Sequence, residues 1–263
     1  MYNNSINLKG LIFLLERIKG ALLLLPLAIA FFCGNTIFSI VTIALGLMAF
    51  WEFKEAFKNK DINLSLIPAG ILTIFLILVI LQLVSINFLF ICVLLFFFLA
   101  FLLILEKQNI LETATNVLGL FYCFIPFFLV SQIYNKSIYW AIFVLVISFS
   151  TDIFAYFSGR LFGKHKLIPN ISPKKTIEGS IGGIICTVLV SILYSKITGI
   201  YTNNILLIGL FGSIVAQLGD LFASAIKRYC GIKDFGKLIP GHGGILDRFD
   251  SVIFVSLLVN LFI

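Results

Sequence analysis

Residues 84–105 read VSINFLFICVLLFFFLAFLLIL, a run without a single charged side chain. A helix needs about 20 apolar residues to cross a hydrocarbon core roughly 30 Å thick. Runs of the same kind occupy residues 66–81 and 205–219. In the whole chain 60% of residues are hydrophobic and 12% are charged, whereas soluble domains average about 45–50% and about 25%. The sequence therefore predicts an all-α integral membrane protein.

The apolar segments also predict how many times the chain crosses the membrane. With the N-terminus in the cytoplasm, all but two of the 19 basic residues fall on the cytoplasmic side, the exceptions being Lys136 and Lys196. Cytoplasmic loops are enriched in Lys and Arg, so this bias supports a cytoplasmic N-terminus. We predict one membrane domain, 1–263, a polytopic bundle of about nine transmembrane helices: 20–34, 37–51, 64–82, 84–105, 114–134, 137–157, 180–198, 203–222 and 249–263.

The net charge of +7 would suit a nucleic-acid partner if basic and aromatic residues alternated along one surface. No such stripe occurs in the sequence, and the basic residues gather in a few loops between predicted helices. We therefore predict no nucleic-acid partner. The five cysteines form no CxxC pair, so they do not indicate a disulfide framework or a zinc site.

Two connections stand apart from the other loops because they are long, polar and strongly basic: 159–179 and 223–248. Both are predicted to lie on the cytoplasmic side. Both also fall in the C-terminal part of the chain.

Asp220 lies inside a predicted transmembrane helix, where an ionisable group costs roughly 2.5–3.5 kcal/mol and is a functional candidate by default. Spacings of three and four place one polar stripe along this helix: Gln217, Asp220, Ser224, and Lys227 or Arg228. A carboxylate at this depth needs a cation. That cation is either a metal ion or the partner in a salt bridge, from Lys227 or from a neighbouring helix.

A similar stripe occurs at the cytoplasmic end of the predicted helix 137–157. It consists of Ser148, Asp152 and Tyr156. These residues either take part in catalysis or form a structural hydrogen-bond network.

The first polar loop contains ISPKKTIEG at residues 171–179. Ser172 is predicted as a helix N-cap, with Pro173 as the first helical residue. Lys174 and Lys175 would then lie in the first turn, where the helix dipole disfavours cations. A bound anion would resolve this conflict; the alternative is a basic turn that faces lipid headgroups.

Gly179 and Gly183 have the GxxxG spacing. Without side chains at two such positions, a helix can approach its neighbour closely in a membrane. We interpret this pair as a packing feature only.

The second polar loop combines carboxylates, cations and a glycine turn. Mg²⁺ takes oxygen ligands, typically one or two carboxylates together with substrate phosphates, so the loop predicts a phosphate-and-metal site. Residues 231–237 match most of a P-loop, but Leu238 replaces its metal-binding Ser or Thr and no strand precedes it. We reject the P-loop interpretation. His242, flanked by glycines, could donate to a phosphate or act as a general acid.

Residues 224–250, SAIKRYCGIKDFGKLIPGHGGILDRFD, resemble the complete signature of the phosphatidate cytidylyltransferase family. Three further stretches, 152–156 (DIFAY), 172–179 (SPKKTIEG) and 217–221 (QLGDL), resemble other parts of that family. Before residue 148 only the hydropathy and Trp51-Glu52 are similar. The resemblance therefore divides the chain into generic N-terminal helices, 1–147, and an expected catalytic half, 148–263, that carries both polar loops.

The resemblance implies that CTP and phosphatidic acid react to give CDP-diacylglycerol and pyrophosphate, a step of phospholipid biosynthesis. It implies a homodimer in contact with membrane lipid, expected in the bacterial inner membrane with its active site facing the cytoplasm. It also implies Asp220 and Asp247 as ligands of a two-cation centre. One cation would be Mg²⁺ or Mn²⁺, the other a cation such as K⁺.

Three groups of site residues follow from the resemblance and the two loops. The catalytic group is Lys227, Arg228, Lys233, Asp234, His242, Arg248 and Asp250. The group expected to bind substrate phosphates is Ser172, Lys174, Lys175, Thr176, Glu178, Ser224, Gly243 and Gly244. A supporting layer behind them is Asp152, Tyr156 and Gln217.

Two other functions were weighed against this one. A CTP-dependent polyprenol or phytol kinase would use an alcohol acceptor, and the complete signature argues against it. An ion-coupled transporter, with Asp152 and Asp220 on its pathway, would need polar residues on both faces of the membrane. Here they cluster on one face.

Overall fold

The structure is a computed structural model that describes residues 25–83, 88–104, 108–200, 204–238, 240 and 243–263. Its elements are helices and one short strand pair: α1 Leu25–Phe32, α2 Asn35–Lys58, α3 Ile67–Ile80, α4 Phe88–Ile104, α5 Ile110–Cys123, α6 Ile125–Lys136, α7 Ile138–Phe162, β1 Lys166–Ile168, β2 Ser172–Thr176, α8 Ile177–Thr198, α9 Ile205–Tyr229 and α10 Leu246–Phe262.

Five helical stretches are long and apolar enough to cross a membrane: Asn35–Lys58, Ile110–Lys136, Ile138–Phe162, Ile177–Thr198 and Ile205–Tyr229. The predicted all-α membrane class is therefore confirmed. The number of spans and the orientation of the N-terminus stay predictions, and residues 1–24 lie outside the described residues.

Several of the predicted helices have different limits in the structure; for example, the predicted helix 203–222 continues to Tyr229. The predicted helix 37–51 continues to Lys58, where α2 ends. The predicted helix 114–134 is interrupted at Phe124, after which α6 begins with Pro126 in its first turn. Proline has no N–H to donate to the preceding turn, so a helix commonly restarts at such a residue.

Contacts between residues divide the chain into two units. The first unit comprises Met1–Leu120 and Ile232–Arg248, and the second comprises Phe121–Gly231 and Phe249–Ile263. The predicted division into 1–147 and 148–263 rests on motifs and stays a prediction.

In the first unit, α2 and α5 approach closely at Gly119. A Cβ atom at this position would lie 2.8 Å from the ring of Phe53 and 2.9 Å from that of Phe50, and both rings are fully buried. The start of α5 is a reciprocal cap, since Asn109 N–H donates to Glu112 Oε2 (2.9 Å) and Glu112 N–H donates to Asn109 Oδ1 (2.8 Å). Glu112 also accepts from Asn63 N–H at 3.1 Å, which ties the loop after α2 to α5.

In the second unit, α7 and α8 pack closely against each other. A Cβ atom at Gly179 would lie 2.7 Å from the carbonyl oxygen of Ala155, and one at Gly183 would lie 3.0 Å from the Ala155 Cβ. The interpretation of Gly179 and Gly183 as a packing pair is therefore confirmed. Deeper in the same contact, the hydroxyls of Thr151 and Thr187 are hydrogen-bonded at 3.1 Å, a polar contact of the kind that joins helices in membranes.

Helix α9 packs against both of these helices and against α10. A Cβ atom at Gly209 would lie 2.8 Å from Ser191 Oγ on α8, and one at Gly212 would lie 3.0 Å from Ile147 on α7. At Gly219 a Cβ atom would overlap the carbonyl oxygen of Asp250. This last contact places Asp250 beside the turn of α9 that contains Gly219 and the next residue, Asp220.

The predicted helix start at Ser172 is wrong. Residues Ser172–Thr176 form a strand, and its partner Lys166–Ile168 runs antiparallel to it. The helix begins instead at Ile177, with Thr176 as the N-cap whose Oγ1 accepts from Gly179 N–H at 3.1 Å. The fixed φ of Pro173 suits an edge strand as well as a helix start. Because the two lysines lie in a strand, the predicted conflict with a helix dipole does not arise.

Candidate functional site

A cavity of about 430 Å³ lies in the second unit, a size within the range of small-ligand sites. Its walls come from α7, the β1–β2 hairpin, the start of α8 and α9. Its lining contains charged and polar residues predicted for the site, namely Asp152, Tyr156, Lys174, Lys175, Thr176, Gln217 and Asp220. Motifs far apart in the sequence therefore meet at one place.

An ion pair joins two sides of this cavity. Lys175 Nζ lies 2.5 Å from Asp220 Oδ2, and the two side chains are 26% and 28% exposed. The hydroxyl of Ser224, one turn further along α9, donates to Asp220 Oδ1 at 3.4 Å. The predicted partner of Asp220 in a salt bridge was Lys227 or a residue of a neighbouring helix. In the structure the partner is Lys175, which lies in the β1–β2 hairpin.

Asp220 also belongs to a group of three carboxylates. It interacts electrostatically with Asp152 on α7 and with Asp250 on α10. Ser251 Oγ lies 3.4 Å from Asp152 Oδ2, to which it donates. Like charges repel one another, so a positive charge beside these carboxylates stabilises them. Lys175 supplies part of that positive charge, since it attracts Asp152 as well as Asp220.

The donor set can be tested against a divalent cation. Among the described residues, no three or more His, Cys, Asp and Glu side chains converge closely enough to hold a metal ion by themselves. Mg²⁺ is commonly held by one or two carboxylates, with water and substrate phosphates as its other ligands. Asp152 and Asp220 both line the cavity and offer only oxygen, so they fit a hard cation of this kind.

Glu178 has partners that were not predicted for a phosphate-binding residue. Its carboxylate lies 2.7 Å from His165 Nδ1 and accepts from the backbone N–H of Lys164 at 3.0 Å. The N–H of His165 donates to it as well. Glu178 thus holds the base of the β1–β2 hairpin. Its predicted contact with substrate stays a prediction.

In the first unit, the residues predicted for the site lie in the segment before α10 and in the first turn of that helix. Asp247 Oδ2 accepts from Phe235 N–H at 2.8 Å and from Gly244 N–H at 3.0 Å. Gly243 has a φ of 87°, a left-handed conformation that glycine adopts without strain. Lys233, Asp234 and Arg248 are exposed in this segment, whereas His242 lies outside the described residues.

Two residues that were not predicted for the site contact parts of it in the structure. Arg160 lines the cavity, and its Nη1 donates to the Tyr156 hydroxyl at 3.5 Å. Its place one helical turn after Tyr156 was a signal for it. Glu52 is buried in the first unit and accepts two backbone hydrogen bonds. The resemblance at Trp51-Glu52 was the only sign of it in the sequence.

These features define a helical membrane protein whose polar cavity combines carboxylates with cationic side chains. The chain belongs to the cytidylyltransferase family, whose family model matches residues 16–263.

Curated relatives carry a more specific name. Proteins named phosphatidate cytidylyltransferase from Staphylococcus epidermidis and Staphylococcus haemolyticus are each 41% identical to this chain over 158 residues. One from Staphylococcus aureus is 39% identical over 158 residues. Each alignment covers 59% of this chain and 61% of the relative, so the matched part of the chain spans about three-fifths of the relatives' length.

Proposed function

We propose that this chain is a phosphatidate cytidylyltransferase that converts CTP and phosphatidate to CDP-diacylglycerol and pyrophosphate. The observation that carries the proposal is the cavity of the second unit, where Asp152 and Asp220 lie beside Lys174 and Lys175. A site for phosphoryl chemistry needs both a place for a divalent cation and side chains that neutralise phosphates. The family membership and the names of the relatives support the same reaction.

In this reaction a phosphate oxygen of phosphatidate attacks the α-phosphorus of CTP. The new P–O bond forms as the bond between the α-phosphorus and the bridging oxygen to the β-phosphate breaks, and pyrophosphate leaves. Lys174, Lys175 and Arg160 would neutralise the phosphates and hold them in line. A divalent cation, Mg²⁺ or Mn²⁺, would supply charge neutralisation on the phosphate oxygens when bound, and Asp220 and Asp152 are the residues that would hold it.

The remaining roles are proposed from the family resemblance. Lys233 and Arg248 would neutralise phosphates, Asp247 would be a further ligand of a two-cation centre, and a cation such as K⁺ would accompany the divalent ion. We also propose a homodimer in the bacterial inner membrane. Phosphatidate lies in the bilayer and CTP in the cytosol, so a site at the cytoplasmic surface can receive both.

The reaction can be tested with purified protein in detergent by measuring the release of pyrophosphate. We expect release that requires both CTP and phosphatidate, with dCTP accepted and ATP rejected. Comparable turnover with ATP or GTP would show that the assigned nucleotide is wrong.

The same assay separates the proposed enzyme from a CTP-dependent lipid kinase. A kinase transfers the γ-phosphate to an alcohol and releases CDP, so it produces no pyrophosphate. The proposed cytidylyltransferase should give no product when phytol or dolichol is supplied with CTP in place of phosphatidate. Formation of a phosphorylated alcohol and CDP would favour the kinase instead.

The proposed orientation predicts the side of the membrane on which the C-terminus lies. With nine spans and a cytoplasmic N-terminus, Ile263 should lie outside the cytoplasm and Gly236 inside it. A reporter that is active only outside the cytoplasm should be active when fused after Ile263 and silent when fused at Gly236. The opposite pattern would mean that either the parity of the number of spans or the orientation of the N-terminus is wrong.

A further inference from the structure

Among the described residues of the first unit, the most deeply buried acidic side chain is not one of the predicted site residues. Glu52, in the second-last turn of α2, is only 1% exposed. Its Oε1 accepts from the N–H of Ile245 at 2.9 Å, and its Oε2 accepts from the N–H of Leu246 at 3.0 Å. One carboxylate thus binds two consecutive backbone groups that are nearly 200 residues away in the sequence.

These two N–H groups lie at the start of α10, which begins at Leu246. The first N–H groups of a helix have no partner within the helix, and that end carries a partial positive charge. A carboxylate is therefore a suitable partner, and hydrogen bonds to a charged acceptor are stronger than neutral ones. No salt bridge to Glu52 occurs among the described residues, so the turn supplies the groups that stabilise it.

Two glycines provide the space for this carboxylate. A Cβ atom at Gly236 would lie 2.7 Å from Glu52 Oε1, and one at Gly244 would lie 2.5 Å from both carboxylate oxygens. Neither glycine has a positive φ, so each is needed for the space it leaves and not for an unusual backbone conformation. The backbone at Gly236 and the backbone at Gly244 therefore both pack directly against the Glu52 carboxylate.

The same backbone also holds a predicted metal ligand. Gly244 N–H donates to Asp247 Oδ2, while the next two N–H groups along the chain donate to Glu52. The direction of the Asp247 side chain is thus set by a turn whose position depends on Glu52. Without the buried carboxylate, the N–H groups of Ile245 and Leu246 would lack their acceptor, which destabilises this one arrangement of the turn.

We infer that Glu52 is a positioning residue, which holds residues 243–248 in the conformation that presents Asp247 and Arg248 to the reaction. The role of Asp247 and Arg248 in the reaction rests on the proposed function. The hydrogen bonds between Glu52 and the turn 243–248 are a property of the folded chain and do not depend on that function. Glu52 would act on the reaction only through the turn, without contact to substrate.

The test is Glu52→Gln, which keeps the size of the side chain but turns an NH₂ group toward one of the two N–H donors. The matched control is Glu55→Gln, on the same helix, where the carboxylate is partly exposed and pairs with Lys58. Two quantities are measured in detergent: hydrogen exchange of the segment 243–248, and pyrophosphate release as a function of CTP concentration.

We expect exchange at Ile245 and Leu246 to rise by at least about tenfold in Glu52→Gln, with the rest of α2 and α10 unchanged. We expect kcat to fall by about a hundredfold while KM for CTP stays close to that of the parent. Such a result would show that the reactive geometry is lost and ground-state binding is not. Glu55→Gln should match the parent in both measurements.

Unchanged exchange at 243–248 in Glu52→Gln would overturn the inference, as would faster exchange combined with normal turnover. If the parent itself shows no CTP-dependent turnover, the proposed function fails. The exchange data still decide whether Glu52 holds the turn 243–248 in place. If Glu52→Gln does not fold, Gly236→Ala provides the test from the loop side. Its methyl group displaces the carboxylate, so it should give the same loss of protection and of turnover, and parental values would overturn the inference.

Discussion

Asp220→Asn should lower phosphatidate-dependent pyrophosphate release by about a thousandfold, while the protein stays folded. The substitution keeps the size and the hydrogen-bonding capacity of the side chain and removes the charge that a divalent cation needs. The pair that Asp220 forms with Lys175 is about a quarter exposed. Lys175 also attracts the neighbouring carboxylate of Asp152, so its charge keeps a partner when Asp220 is neutralised, and the thermal midpoint in detergent should fall only slightly.

The control for this change is Asp61→Asn. Asp61 is exposed and has a φ of 57°, a conformation that asparagine tolerates well. Its replacement should change neither turnover nor the thermal midpoint. Turnover should also be followed as a function of Mg²⁺ concentration, because loss of a ligand shifts the concentration that is required.

A purely structural ion pair would give a different pattern. In that case Asp220→Asn and Lys175→Met should lower the thermal midpoint by similar amounts, and the exchanged pair Asp220→Lys with Lys175→Asp should restore stability and activity together. Folded Asp220→Asn protein with nearly normal turnover at ordinary Mg²⁺ would exclude the metal role.

Gly179→Ala should destabilise the protein, although it adds only one methyl group. That methyl would meet the carbonyl oxygen of Ala155 at 2.7 Å and the Cα atom of Gly159 at 3.0 Å. Both are backbone atoms, so α7 and α8 would have to separate. Overpacking of this kind costs about 1–3 kcal/mol. The thermal midpoint should fall by about 2–4 °C for each kcal/mol.

Gly70→Ala is the matched control, since Gly70 lies inside α3 and a Cβ atom there would meet nothing within 4 Å. Alanine is more favourable than glycine in a helix by about 0.5–1 kcal/mol, so this variant should be as stable as the parent or slightly more stable. Equal midpoints for the two variants would mean that the α7–α8 contact is looser than the structure shows.

The features predicted correctly from the sequence are those that depend on neighbours within a few turns. Apolar runs predicted the membrane helices, and the spacing of Gly179 and Gly183 predicted a close helix contact. The polar stripes of α7 and α9 also followed from helical periodicity, and Asp152, Gln217 and Asp220 line one cavity. Each of these inferences uses only the regular geometry of a helix.

The features that were missed depend on partners far away in the sequence. Nothing near Asp220 identifies Lys175 as its partner, and nothing near Glu52 identifies Ile245. Ser172-Pro173 has the local pattern of a helix start, yet pairing with β1 favours a strand there. Short local patterns of this kind are compatible with more than one structure, and the contacts made by the rest of the chain decide between them.

The attachment of the hairpin to α8 has a consequence for how strongly an anion can bind. Glu178 binds the backbone of Lys164 and His165 before the first strand, and Ile177 N–H donates to the His165 carbonyl oxygen at 3.0 Å. The two ends of the hairpin are therefore joined, and the main chain of Lys174 and Lys175 is already ordered by the folding of the protein. A phosphate group that enters the cavity has only side-chain rotations left to restrict, so less conformational entropy opposes its binding than on an open loop with the same two lysines.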